Sequence, residues 1–196
     1  MPFLEPVTLT GRLVALEPLS HDHRAELEDA VRDGELWNLW YTSVPQPEGM
    51  AAEIDRRLAL QDAGSMLPFA ARRASDGRVI GMTTYMNADD ANRRVEIGST
   101  WNAASAQGTG TNAESKLLLL RHAFEELGCI AVEFRTHWMN RQSRAAIERL
   151  GAKQDGVLRS HQIMPDGSLR DTVVYSIVAS EWPMVRNGLE LRLAAH

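Results

Sequence analysis

Residues 93–127 constrain this chain more than any other stretch. A strand-like run, RRVEIGSTW, passes through a loop of small residues, NAASAQGTGTN, straight into an apolar-striped helix, AESKLLLLRHAFEEL. A glycine loop at a helix start leaves several backbone N–H groups unpaired and aimed at one point. The helix dipole adds partial positive charge there. Such a turn holds phosphate without a basic side chain. The sequence therefore predicts a phosphorylated ligand at residues 107–112.

The remaining pattern gives the framework. Residues 12–19 (RLVALEPL) read as a first strand, and Ser20 caps a helix over 21–32 that Gly34 ends. The aromatic-rich LWNLWYTSVPQP is an irregular connection to a second helix over 49–63, where Met50, Ile54 and Leu58 recur on one face. Three strands follow, over 67–74, 79–86 and 94–101, the first two joined by the turn SDGR. In the third, Val95, Ile97, Ser99 and Trp101 are expected on one face, with Glu96, Gly98 and Thr100 on the other. The loop helix carries the stripe Ala113, Leu117, Leu120, Phe124, Leu127. A strand over 130–138 places Ile130, Val132, Phe134, Thr136 and Trp138 together. Asn140 then caps a short helix with the stripe Ser143, Ala146, Ile147 and Leu150, ended by Gly151. Two strands around MPDGS and a helix over about 180–192 finish the chain. This order predicts an α/β fold, a three-layer α/β/α sandwich around a mixed sheet, as one domain over 1–196.

Composition narrows the function classes. The chain has 196 residues, 44% apolar and 24% charged, ordinary for a folded domain. Its net charge is −5, and no Lys/Arg stripe interleaved with aromatics appears, so nucleic acid is not an expected partner. An acidic surface still suits a basic protein or an amine. The lone Cys129 allows no internal disulfide, and its helix–strand junction suits a small buried hydrophobe. The sequence shows no secretory pattern and no membrane-length apolar run, which points to a cytoplasmic protein with no membrane partner. His21-x-His23 lacks further clustered ligands, so no metal is expected.

Two phosphate-binding motifs fit poorly. A nucleoside triphosphate loop needs Gly-Lys-Ser/Thr, but Thr111 and Asn112 follow Gly110, and the first lysine is Lys116. A dinucleotide fold wants a third glycine, early in a βαβ run, and here the preceding strands read as an antiparallel meander.

Gln107-Gly108-Thr109-Gly110-Thr111-Asn112 instead resembles the acetyl-CoA loop of the GNAT acetyltransferase superfamily, Gln/Arg-x-x-Gly-x-Gly/Ala, with Asn112 in place of the last small residue. Asn112 is expected to cap the helix and to reach a phosphate oxygen. Asn140-x-x-Ser143, with Gly151 eleven residues after the asparagine, resembles the branch of the ribosomal-protein N-terminal acetyltransferases (the RimJ/RimL type). The resemblance runs over residues 9–177.

It implies a centrally splayed sheet and an acetyl-CoA-dependent N-acetyltransferase that transfers directly in a ternary complex. The acceptor would be a primary amine: a small molecule, an amino-acid-like compound or a peptide N-terminus. Ser99, Thr100 and Trp101 would pair with the pantetheine arm, residues 107–112 would hold the diphosphate, and Asn140 would also touch the cofactor. Backbone N–H groups near residues 98–100 are the implied oxyanion donors. The family's usual tyrosine, seven residues after the asparagine, is Ile147 here, so Ser143 with Asn140 is the implied proton donor to the leaving thiolate. Glu96 is the first candidate base, with a salt bridge to Arg94 or Arg135 as its structural alternative; Glu133 and His137 follow it. Trp37, Tyr41 and Tyr85 form the expected acceptor wall, with Trp40 beside them. A catalytically silent CoA-binding sensor or scaffold of the same fold, a succinyl donor and a nucleotide-binding protein are the competing readings. The sequence leaves monomer and homodimer both open.

Overall fold

A computed structural model describes residues 3–195. Met1, Pro2 and His196, the ends of the expected domain, lie outside the described residues. Among the described residues, eight strands form one sheet in the order β1-β2-β3-β4-β5-β6-β8-β7. They are β1 (Leu9–Thr10), β2 (Val14–Pro18), β3 (Met66–Arg73), β4 (Val79–Asp89), β5 (Arg94–Asn102), β6 (Ala131–His137), β7 (Lys153–Ile163) and β8 (Leu169–Val178). Neighbours are antiparallel except β5 and β6, which run parallel.

The helices α1 (Arg24–Arg32), α2 (Met50–Asp62), α3 (Thr111–Arg121), α4 (Arg141–Glu148) and α5 (Trp182–Ala194) cover the two faces. Alternating strand residues feed two separate cores. Leu67, Phe69, Tyr85, Val95, Ile97, Val132 and Phe134 pack with α3, α4 and α5, whereas Ala70, Met82 and Trp101 pack with α1 and α2. The result is the expected three-layer sandwich.

Several boundaries move from the sequence expectation. The first helix begins as a 3-10 turn, His21–His23, where the Ser20 N–H donates to His23 Nδ1 at 3.1 Å. After Arg121, α3 widens into a π-helical turn, His122–Glu126. Ile130 and Trp138 lie just outside β6 and are more than a third exposed, so the expected face is only Val132, Phe134 and Thr136. The last helix starts at Trp182 rather than near 180. Trp182 stacks on Phe124 at 5.4 Å and donates to Glu125 Oε1, so it covers the chain's own third helix.

The main correction falls on β5. Thr84 pairs with Gly98 but Met82 pairs with Trp101, so two residues, Ser99 and Thr100, face Thr83 alone. Ser99 takes a left-handed φ of 47°. This bulge breaks the period-two alternation, and Trp101 lands on the face opposite Val95 and Ile97. A bulge of this kind, with serine rather than glycine at positive φ, leaves little sequence signal.

Candidate active site

The parallel pair is short. β5 and β6 are in register only at Arg94↔Ala131, Val95↔Val132 and Glu96↔Glu133. Beyond Glu96 the pairing of the two strands stops, and among the described residues no strand pairs with β5 on that side through its bulge. Each then delivers its chain to a helix head at the same end of the sheet: β5 through the glycine turn to α3, and β6 through Trp138–Asn140 to α4.

The turn is built as the loop composition predicts. Gly108 and Gly110 have φ of 76° and 87°, conformations that side-chain-bearing residues disfavour. Thr109 and Thr111 fasten the turn by donating to the Ala106 carbonyl at 2.7 and 3.2 Å. Among the described residues, no protein acceptor takes the amides of Gly108, Thr109 or Gly110. With the unpaired amides of the first turn of α3, they gather free N–H donors at one point, the arrangement that suits an anion. The space where a Gly108 side chain would stand is open. Asp33 supports the loop from behind, its carbonyl accepting from the Ala104 N–H and its carboxylate from the Ser105 N–H.

Asn112 does not cap α3, contrary to expectation. Gly110 occupies the cap position, and Asn112 sits in the second helical position with its Oδ1 accepting from Asn102 Nδ2 at 3.3 Å. Gln107 precedes the turn, its N–H donated to Ala104. Asn140 does cap its helix: Oδ1 accepts the Ser143 N–H at 3.0 Å. The Ser143 hydroxyl takes no part in that cap. Ile147, where the resembled family often carries tyrosine, is buried among apolar neighbours.

Glu96 is buried, on the face shared with Arg94, Glu133 and Arg135. Its Oε2 accepts from Asn87 Nδ2 at 2.8 Å and lies 3.5 Å from Arg135 Nε. The second distance is a charge contact rather than a hydrogen bond: among the described residues Arg135 Nε has no hydrogen-bond partner. Burial raises the Glu96 pKa, while Asn87 and then Arg135 pull against it. Glu133 is committed to ion pairs with Arg94 and Arg135, which hold it low against its own burial. A cleft of about 450 Å³ opens on this face, lined by Arg94, Glu133, Arg135, Asp155 and Val174.

His137, at the end of β6, accepts the Met139 N–H on Nδ1 at 3.0 Å, and burial lowers its pKa. The neutral ring then carries its proton on Nε2. Trp40 crosses it edge-on at 5.3 Å and touches Tyr41 at 5.5 Å, so the loop after α1 reaches the open end of the splay. Trp37 instead packs on the core beneath α1 and α2 and borders a separate cleft with Arg32 and Glu48. Tyr85, expected in the acceptor wall, is closed off in the core with its hydroxyl donated to the Leu119 carbonyl.

Two buried cations were not in the expected set. Arg57 of α2 donates to Thr84 Oγ1 and the Ser99 carbonyl and pairs with Glu53. Lys116 of α3 donates to Thr83 and Thr100. In sequence both read as ordinary helix residues. His23 is occupied by Glu17 at 3.1 Å, and no group of three metal-binding side chains gathers among the described residues. Cys129 is buried, its thiol pushed up to about 11. No helix among the described residues is long and apolar enough to cross a membrane.

Known proteins share this architecture. An acetyltransferase (GNAT) domain model matches residues 13–153. The Bacillus subtilis (strain 168) protein YdaF, provisionally named a ribosomal N-acetyltransferase, is 36% identical over 107 residues, 55% of this chain and 57% of YdaF. The chain thus spans little more than half the length of that relative. A GCN5-related N-acetyltransferase from Brucella melitensis superposes with a TM-score of 0.87 at 29% identity, over 98% of this chain and 87% of that one. Mycobacterium smegmatis RimJ, solved in complex with CoA-disulfide, superposes with a TM-score of 0.80 over 95% of both chains; at 24% identity it speaks to the fold alone. The family match takes in the bulged strand, the glycine turn and the parted parallel pair, and by it the chain belongs to the GNAT acetyltransferase family.

Proposed function

We propose that this protein is an acetyl-CoA-dependent N-acetyltransferase that passes the acetyl group directly to a primary amine. The observation that carries this reading is the parting of β5 from β6 after Glu96, beside a glycine turn whose amides have no protein partner. A long, flexible thioester with a diphosphate at one end fits that pair of features. The turn at 107–112 would hold the diphosphate, and the free edge of β5 at Ser99, Thr100 and Trp101 would pair with the arm. RimJ, of like fold, binds a CoA derivative in its crystal.

Acetyl-CoA supplies an activated acyl group, and the chain's own residues do the rest. Glu96, buried and held by Asn87, takes the proton of the attacking amine, directly or through water. Backbone N–H groups at residues 98–100 meet the negative charge growing on the carbonyl oxygen. As the carbon–sulfur bond breaks, the Ser143 hydroxyl at the head of α4 passes a proton to the sulfur and regains one from water, while Glu96 releases the amine proton to water. The acceptor approaches from the Glu96 face, past the cleft at Glu133 and Arg135 and under the Trp40–Tyr41 loop. The name of YdaF favours a peptide N-terminus over a small amine.

Thiol release from acetyl-CoA, measured over a panel of small amines and short peptides, tests the proposal. Wild type should turn over, Glu96→Gln should lose about 10²-fold or more, and Ser143→Ala should lose less. Equal rates in all three remove both roles. Coenzyme A binding without any turnover would identify a silent sensor, the reading that Ile147 in place of tyrosine favours.

A further inference from the structure

The Ser99–Thr100 bulge interrupts the pairing of β5 with β4, and it lies on the edge where the thioester would rest. A serine held at a φ of 47° persists only if its surroundings enforce it. Two buried cations do so, one from each face.

From the α3 side, Lys116 Nζ donates to Thr83 Oγ1 at 3.0 Å and to Thr100 Oγ1 at 2.9 Å, and those hydroxyls lie 2.8 Å apart. Thr100 in turn donates to the Gly98 carbonyl at 3.3 Å. The set closes: Thr83 gives its proton to Thr100, Thr100 gives its own to Gly98, and both oxygens accept from the lysine. From the α2 side, Arg57 Nη2 donates to the Ser99 carbonyl at 3.1 Å and Nη1 to Thr84 Oγ1 at 2.7 Å. Glu53 anchors the guanidinium at 2.7 Å. The four bonds address Thr83 and Thr84 on β4 and the two bulge residues on β5.

Packing alone does not account for Lys116. It is buried with no carboxylate partner among the described residues, and burial pulls its pKa down to about 7. A methionine would fill the same space without that cost.

We propose that Lys116 and Arg57 are positioning residues that clamp the Ser99–Thr100 bulge from opposite faces of the sheet, fixing the backbone edge that receives the thioester. The clamp rests on the acetyl-transfer reading and adds two residues to it. Neither touches the reacting atoms; both act through the conformation of the bulge.

The test is steady-state kinetics with varied acetyl-CoA and an amine from the panel above, on Lys116→Met, Arg57→Met, Thr83→Val and Thr83→Ser. Calorimetry with coenzyme A and thermal melting accompany it. Lys116→Met should melt higher than wild type and bind coenzyme A within about threefold, because the glycine turn is untouched, yet lose at least about tenfold in kcat. Thr83→Val should match it, Thr83→Ser should recover most of the rate, and Lys116→Met/Thr83→Val should be no slower than either single variant. Arg57→Met should lose kcat likewise; if it does not fold, Thr84→Val, which removes one of its acceptors, takes its place. Wild-type kcat in folded Lys116→Met and Thr83→Val overturns the clamp and leaves acetyl transfer standing. No thiol release from wild type overturns the acetyl-transfer reading, and the clamp with it.

Discussion

Glu96 and Gly98 are coupled through empty space: a Cβ on Gly98 would stand 3.1 Å from Glu96 Oε1 and 2.8 Å from Met86 Sδ. The missing side chain is where the buried carboxylate lies. Gly98→Ala should therefore displace Glu96 and lower kcat by about tenfold or more, while calorimetry finds coenzyme A affinity nearly unchanged. Unchanged kcat would separate Glu96 from the chemistry.

The pH profile should carry the signature of the same group. Glu96 must be ionised to accept a proton, and burial raises its pKa. The acid limb of kcat is thus expected above the ordinary glutamate range, with rate lost as pH falls through it. Asn87→Ala removes the hydrogen bond that opposes the rise, so the limb should move to still higher pH.

Lys116 makes a prediction about stability rather than rate. Its pKa is about 7 in the fold against 10.5 for the free side chain, so between those values the unfolded chain binds more protons. Lys116 should therefore make stability rise with pH over that window, by up to about 1.4 kcal/mol per pH unit. Denaturant titrations of wild type and Lys116→Met across pH 7–10 should show that slope in their difference. Parallel curves would mean the lysine stays charged inside the protein.

Glu114 ties α3 to the edge of the sheet. Its carboxylate accepts the N–H groups of Arg12, Leu13 and Val14 at 3.0, 2.6 and 2.9 Å. Glu114→Ala strands those donors and should cost about 3 kcal/mol or more by urea denaturation. Gly11→Ala should destabilise as well, since its Cβ would fall 2.4 Å from Glu114 Oε2.

Gly110→Ala tests the turn. At a φ of 87° alanine costs about 1–2 kcal/mol, and relief of that strain would re-aim the amides. Coenzyme A should raise the melting temperature of this variant less than that of wild type.

The framework was legible because its signals are local. Helical stripes, strand alternation and turn glycines place nearly every element, and the loop at residues 107–112 stands out by its own composition. What escaped depends on long-range contact. Gly98 marks the strand as able to turn irregular, but the positive φ falls on Ser99, and nothing in the alternation signals that Trp101 changes face. Arg57 and Lys116 matter only because Thr84, Thr83 and the bulge lie beneath them. Tyr85 looked available because an aromatic in a strand gives no sign of which face a later helix will cover. Trp40 could not be matched with His137 across nearly a hundred residues without the sheet between them.

Among the described residues, the strand pairing between the five strands β1–β5 and the three strands β6, β8 and β7 is limited to three register pairs, from Arg94↔Ala131 to Glu96↔Glu133. The sheet is therefore two panels meeting along a narrow seam. A guest laid along the open part of that seam would serve as a missing plank, so its arrival should stiffen the whole molecule and its departure should let the panels breathe.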